Sequence, residues 1–286
     1  MSLSSPVNTT LPFIAYGSFK PSELRHNLIK DYIEDFYEYQ LPGYLEEKDG
    51  IPIFRLGNNE SNTNIDAFIL NFKVGSETMA YQKICENEPD SYYEWSIIEN
   101  KNILIGKRGL KGTNVFFKNC WSFRNDPYFK YGLIACQSIL RGNQSNNFNE
   151  SERRYIQFFE FSSAYMLLWT IIERFCTLKY GNIPPSQKIK CLSSDLSIPW
   201  EDIISKINRT DTIYRSDKLN EALVLNKEKG VKRILDYYYG IRSNMVHRGK
   251  EVFTDTDKIQ ESFIELNFLF TEILTLHGFY DKEILQ

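Results

Sequence analysis

Apolar residues in the first 120 positions come in short runs or alternate with polar ones, the spacing of strands; beyond Trp121 they recur every three or four residues, the spacing of helices. Residues 11–16 form a short apolar run stopped by Gly17, which predicts a buried strand entering a tight turn. Pro21, Ser22 and Glu23 then read as a helix start, with an amphipathic stretch over 24–33. Residues 65–74 alternate as a strand, with Phe68, Leu70 and Phe72 on one face. A short helix is predicted over 77–85, and strands over 92–99, 103–106 and 115–118. The Asn-rich piece 58–64 reads as a polar loop. Helical spacing covers 126–141, 150–179, 231–247 and 258–277, with a polar loop over 142–149. The helix over 150–179 is crowded with Phe, Tyr, Ile and Leu, as expected of a central helix buried on several sides. Ile183-Pro184-Pro185 is expected to end it. Strands in one block and helices in the next predict an α+β chain of two domains, 1–120 and 121–286.

Composition narrows the function classes. With 42% hydrophobic and 25% charged residues, the 286-residue chain has the make-up of a globular protein. It carries no apolar run long enough to span a membrane and no secretion signal, so a cytoplasmic location is expected. Five cysteines without CxxC spacing read as reduced, mostly buried thiols, and three histidines leave little for a zinc site; no metal and no cofactor is expected. The net charge of −3 confines any nucleic-acid contact to a local patch. One exists: between 227 and 250, seven cations (Lys227, Lys229, Lys232, Arg233, Arg242, Arg248, Lys250) oppose Glu228 and Asp236, leaving about +5. Such a run is either a binding patch or a solvated helix face.

Two clusters carry candidate chemistry. Tyr16-Gly17-Ser18-Phe19 follows the first strand, where a sharp turn can aim successive backbone N–H groups at a carboxylate or an oxyanion. Gly43-Tyr44-Leu45, Asp49-Gly50-Ile51-Pro52 and Cys85-Glu86-Asn87-Glu88-Pro89 follow in that order. Together, over about residues 11–118, these elements resemble the gamma-glutamyl cyclotransferase-like (AIG2-like) family. The resemblance implies a compact barrel-like α/β domain with one polar cavity. It also implies an intramolecular reaction, in which a γ-glutamyl amine attacks its own γ-carbonyl to give 5-oxoproline and a free amine. Glu88 falls where that family has its catalytic glutamate, with Glu86 as a nearby decoy and Pro89 in place of the usual glycine. The resemblance makes Glu88 the proton carrier and Tyr16, Gly17, Ser18 and Phe19 the binders of a small γ-glutamyl-type ligand. By residue type alone, a solvated acid at a helix end is the commoner case for Glu88.

The second cluster is Arg242-Ser243-Asn244-Met245-Val246-His247, inside a predicted helix and inside the basic window. A histidine can move protons both ways near neutrality, and an arginine is a permanent forked donor for phosphate oxygens. Five residues of helix separate the two by about 500°, so their side chains leave the axis about 140° apart. Ser243 and His247, four apart, share a face. The stretch 237–249 resembles the HEPN family, in particular its Apea-like branch. The resemblance implies an all-α bundle, usually a homodimer whose paired motifs face one cleft, and metal-independent RNA cleavage in antiviral or toxin systems. Arg242 and His247 would be the catalytic pair, with Ser243 and Asn244 as binding residues. Alternatively His247 is a helix-terminal cap. Glu173 is expected either as a buried partner for an arginine or as an exposed acid, and His26 and His277 as surface residues. Three functions stay open: a nuclease regulated or assisted by the first domain, a metabolic cyclotransferase dimerised by the second, or two binding modules.

Overall fold

In a computed structural model, residues 3–57, 64–112, 120–141, 149–215, 220–248 and 252–279 are described. The chain is α+β, 50% helix and 22% strand. It packs as two compact units, Met1–Pro127 with Thr177–Ile183, and Tyr128–Cys176 with Pro184–Gln286. No helix among the described residues is long and apolar enough to cross a membrane.

The first unit is built on β1 (Phe13–Ala15), β2 (Ile33–Pro42), β5 (Asn64–Phe72), β6 (Tyr93–Ile98) and β7 (Lys101–Gly106), with the hairpin β3 (Tyr44–Lys48) and β4 (Ile51–Arg55) apart. The five strands run β2-β5-β1-β7-β6, and the edge strands β2 and β6 are not paired to each other. Short β1 is the centre, antiparallel to β5 through Ile14↔Ile69 and parallel to β7 through Ile14↔Ile103. Its three residues are fully buried, as flanked strands require. β5 is buried on both faces: Leu70 and Phe72 on one, Ile65, Ala67 and Ile69 on the other. Helix α1 (Glu77–Asn87) lays Ala80, Tyr81 and Ile84 onto the core with Phe13, Phe19 and Leu104.

Two expectations change here. Residues 24–33 form two short 3-10 turns, Leu24–Leu28 and Lys30–Tyr32, rather than one α-helix. Glu23, placed to cap such a helix, instead accepts from the Phe123 backbone N–H at 3.0 Å, so the segment starts uncapped. Leu24, Ile29 and Ile33 still reach the core, and Ile33 opens β2. The strand expected over 115–118 and the loops over 58–63 and 142–148 lie outside the described residues.

The second unit holds α2 (Pro127–Arg141) from its second residue, α3 (Glu150–Tyr180) up to Cys176, α4 (Pro185–Ser193), α5 (Trp200–Ser205), α6 (Val231–Arg248) and α7 (Val252–Leu276). It is not purely helical, because β8 (Asp211–Tyr214) and β9 (Ala222–Leu225) pair as a hairpin. Four-residue strands are too short to give a visible alternation, so they escape a periodicity reading. Tyr165, Leu168, Trp169, Ile172 and Phe175 of α3 are buried, as are Tyr237, Tyr238 and Ile241 of α6 and Leu266, Phe270 and Ile273 of α7; the Tyr165 hydroxyl donates to Tyr238 O at 2.8 Å and the Phe175 ring meets Phe270 edge-on. One charged knot ties three elements. Arg209 donates to both oxygens of Glu265 on α7 (3.2 and 2.7 Å) and to Asp211 at the head of β8 (3.1 Å), while the Tyr237 and Tyr238 hydroxyls of α6 donate to Asp211 and Glu265. Burial alone would lower the Arg209 pKa; its bonds to Glu265 more than offset that and hold it firmly charged.

Candidate functional site

In the first unit, α1 stops at Asn87 because Pro89 drives its predecessor out of helical backbone, and Glu88 is accordingly extended, with φ −109° and ψ 135°. Its N–H still donates to Ile84 O at 3.1 Å. The change of direction separates the two glutamates. Glu86 stays on the exposed face, paired with Lys83 at 2.8 Å, while Glu88 turns inward and is 8% exposed. Pro89, which stands where the resembled family has glycine, thus leaves Glu88 turned inward.

Inside, Glu88 lines one small cavity together with Tyr16, Gly17, Ser18 and Phe19, closed by Pro52, Tyr93 and Leu104 among others. Its volume is about 20 Å³, space for a single water. The turn is held from both ends: Lys20 N donates to Gly17 O at 3.1 Å and Arg25 N to Ser18 O at 3.1 Å. Tyr16 serves the fold here, its hydroxyl donating to Leu104 O at 2.8 Å. Burial, reinforced by the charge of Glu88, pushes that hydroxyl far above the usual tyrosine range, so it stays protonated.

Arg25 is the residue that sequence reasoning missed. Its Nη1 donates to Glu88 Oε1 at 2.9 Å and reaches Ser18 Oγ at 3.4 Å, and both members of the ion pair have side chains 7% exposed. Its buried Nε has no hydrogen-bond partner among the described residues. The carboxylate therefore enters the cavity already compensated by a fixed cation. No spacing in the chain links positions 25 and 88, and Arg25 reads from sequence as one more polar face of a helix that does not form.

In the second unit, the residues of α6 fall on two faces. Ser243 and Asn244 line a cavity of about 330 Å³ with Lys232, Arg233, Asp236 and Gly240 of the same helix and Arg215 of the hairpin. Arg215 pairs with Glu221 at 3.5 Å and Lys232 with Asp236, whereas exposed Arg233 makes no ion pair with a described residue. The Asn244 amide donates to Tyr214 O at 2.8 Å and fixes α6 to β8; its buried Oδ1 has no partner among the described residues. Positions 236, 240 and 243 form a stripe along this cavity, and position 247 is the next on it, one turn later. The His247 side chain itself lies outside the described residues.

Arg242 is turned off that stripe. Its Nη2 lies 3.3 Å from Glu173 Oε1 of α3, and its guanidinium lies 5.4 Å from the centre of the Tyr239 ring. Glu173 is thus the arginine partner that was one of its two expected roles, half-buried rather than deep. The pairing holds the guanidinium against α3. The other two histidines, expected as surface residues, are only partly exposed. Half-buried His26 donates from Nδ1 to Phe19 O at 3.1 Å, and His277 does the same to Ile273 O at 2.8 Å while its ring meets Phe175 edge-on.

Among the described residues, no group of three or more His, Cys, Asp or Glu is placed to hold a metal ion. No protein-family model matches the chain, and neither does any curated protein or solved structure. The cyclotransferase-like and HEPN resemblances therefore rest on the residues that carry them.

Proposed function

We propose that the protein is a metal-independent ribonuclease of two units. A HEPN-like helical bundle, acting as a homodimer, cuts RNA, and a cyclotransferase-like unit binds a small γ-glutamyl-type ligand, in a cytoplasmic defence or toxin system of a prokaryote. The observation that carries this reading is the stripe on α6. It joins Ser243 and Asn244 to a cavity flanked by Arg215, Lys232 and Arg233, and it leads to position 247. At about 330 Å³ the cavity falls at the small end of the range for ligand sites, about 300–1,000 Å³, a size suited to one nucleotide rather than a folded RNA. In this reading the flanking cations hold phosphates. His247 takes the proton of a ribose 2′-hydroxyl, whose oxygen attacks the adjacent phosphorus and expels the 5′ oxygen, while the flanking cations stabilise the charge that gathers on the phosphate; Arg242 joins them only by leaving Glu173. The test is incubation of labelled RNA with the purified protein in EDTA. Cleavage lost in His247→Ala and kept in Glu88→Ala supports the proposal; cleavage unchanged in His247→Ala overturns it.

A second reading has its own support, since Glu88 and the Tyr16–Phe19 turn share one cavity. Here Glu88 carries the proton from the α-amine of a γ-glutamyl group to the leaving nitrogen. A cavity of about 20 Å³ admits that group only if its walls part. Release of 5-oxoproline from γ-glutamyl peptides, abolished by Glu88→Gln, is the result this reading requires, and no release by the wild-type protein rejects it.

A further inference from the structure

Lys20 lies just after the Tyr16–Phe19 turn and is 4% exposed, an unusual position for an ammonium group. It has no salt bridge to any described carboxylate. Its Nζ instead lies 2.8 Å from the sulfur of Cys120, a residue 100 positions away in the chain. That separation would be ordinary for N–H···O, about 2.7–3.2 Å, and is close for the larger sulfur atom. Cys120 is the exposed one among five free cysteines; Cys85, Cys136 and Cys176 are buried and Cys191 is half-buried. Burial pushes the Cys136 thiol up to about 12 and raises that of Cys85, which makes both poor nucleophiles. The Cys120 sulfur has a different setting: solvent on one side, a buried nitrogen on the other, and the Trp121 carbonyl at 3.6 Å. Exposure admits an oxidant, and the Lys20 nitrogen already lies in contact with the sulfur that the oxidant would reach.

We infer that Lys20 and Cys120 form an oxidation site at which peroxide joins the two side chains by a covalent nitrogen–sulfur link. The thiolate sulfur attacks one peroxide oxygen, the O–O bond breaks, and the departing hydroxide takes a proton from the Lys20 ammonium as water. This leaves a sulfenic acid beside a neutral amine. The amine nitrogen then attacks the sulfur, the S–O bond breaks, and the hydroxyl leaves with one nitrogen-bound proton as a second water. The sulfur is oxidised, one peroxide is reduced, and the product is Cys120–S–NH–Lys20. Capture by nitrogen needs no second cysteine and stops the sulfur before its irreversible oxidation to sulfinic acid.

The link has a place to act. Lys20 N is hydrogen-bonded to Gly17 O, so a tether on the Lys20 side chain restrains the turn that lines the Glu88 cavity. Its other end precedes Trp121 and Phe123, which are anchored to the same unit through Gly50 O and Glu23 Oε2. Oxidation thus closes a covalent loop between two segments already packed together, and little rearrangement is required.

The experiment treats the full-length protein with a several-fold molar excess of hydrogen peroxide, enough for two oxidations of each sulfur, blocks remaining thiols with iodoacetamide, digests it and maps the peptides by mass spectrometry. The expected result is a linked pair of peptides containing Lys20 and Cys120, lighter than their sum by two hydrogens. It should disappear on treatment with dithiothreitol and be absent from Lys20→Arg and Cys120→Ser. Lys20→Arg keeps the cation beside the sulfur but cannot form the link, so Cys120 should proceed to sulfinic acid in that variant. Cys120 of the wild-type protein oxidised to sulfinic acid with no linked pair, while circular dichroism shows it folded, overturns the inference.

Discussion

At the scale of single residues, the Arg25–Glu88 pair decides most. Two charges with side chains 7% exposed sit 2.9 Å apart, so removing either leaves the other buried and uncompensated. Glu88→Ala and Arg25→Ala should each lower unfolding free energy by about 3–5 kcal/mol, while Arg25→Met with Glu88→Leu should cost less than either, because an apolar pair replaces both charges at once. Urea unfolding of the four proteins measures this, and additive losses would show that the pair is not coupled. His26 gives a pH dependence whose sign is fixed by its surroundings. Burial lowers its pKa, the charge of Lys30 lowers it further, and the bond to Phe19 O only partly opposes them. The unfolded chain therefore binds a proton at His26, near a pKa of about 6.5, that the folded protein resists. Its contribution is complete above that pH and is lost as pH falls through the lower folded value. Melting temperature should drop between pH about 7 and about 5, and drop less in His26→Gln; equal slopes would remove His26 as a cause. At this scale the sequence was partly legible. Glu88 stood out because a short motif and a proline marked it, whereas Arg25 did not, since its partner is 63 residues away and only the folded sheet brings them together.

At the scale of elements, what periodicity can see agrees with what formed. The helices α2, α3 and α6 start and stop within a residue of their predicted limits, whereas α7 begins six residues before its expected start, at Val252. The hairpin β8–β9 and the 3-10 turns after Ser22 were not legible, because four- and five-residue elements owe their form to tertiary partners such as Asn244 on Tyr214 O and Phe123 N on Glu23. Gly43 shows a backbone requirement that sequence marks only as part of a motif. It joins β2 to β3 at φ +149°, and a Cβ there would lie 2.4 Å from Phe54 Cε2 and 2.5 Å from Arg55 O. The carbonyl cannot swing away without breaking the β3–β4 register, in which Tyr44 pairs with Arg55. Gly43→Ala should therefore destabilise the first unit by about 3 kcal/mol, the upper end for overpacking. Thermal unfolding checks it, and an unchanged midpoint would mean that the β2–β3 connection can relax.

At the scale of the molecule, each of two units holds one candidate site, one around a buried, charge-compensated carboxylate and one along a cation-flanked helix face. The hydrophobic period changes near residue 120, whereas the compact units divide after Pro127 and Thr177–Ile183 belongs to the first, which no periodicity marks. The open cavity beside α6 was not legible, because Arg215 and the hairpin that form its far wall belong to the elements that periodicity misses. The central claim is that this helix face directs a ribose hydroxyl against its own phosphate without a metal. The end groups of the RNA fragments made in EDTA report on that step directly. Attack by the 2′-oxygen leaves a 2′,3′-cyclic phosphate on one fragment and a 5′-hydroxyl on the other, and mass spectrometry of the fragments should find these ends in the wild-type digest and none in His247→Ala. Fragments ending in a 3′-hydroxyl and a 5′-phosphate, or intact RNA under every condition, would contradict the account.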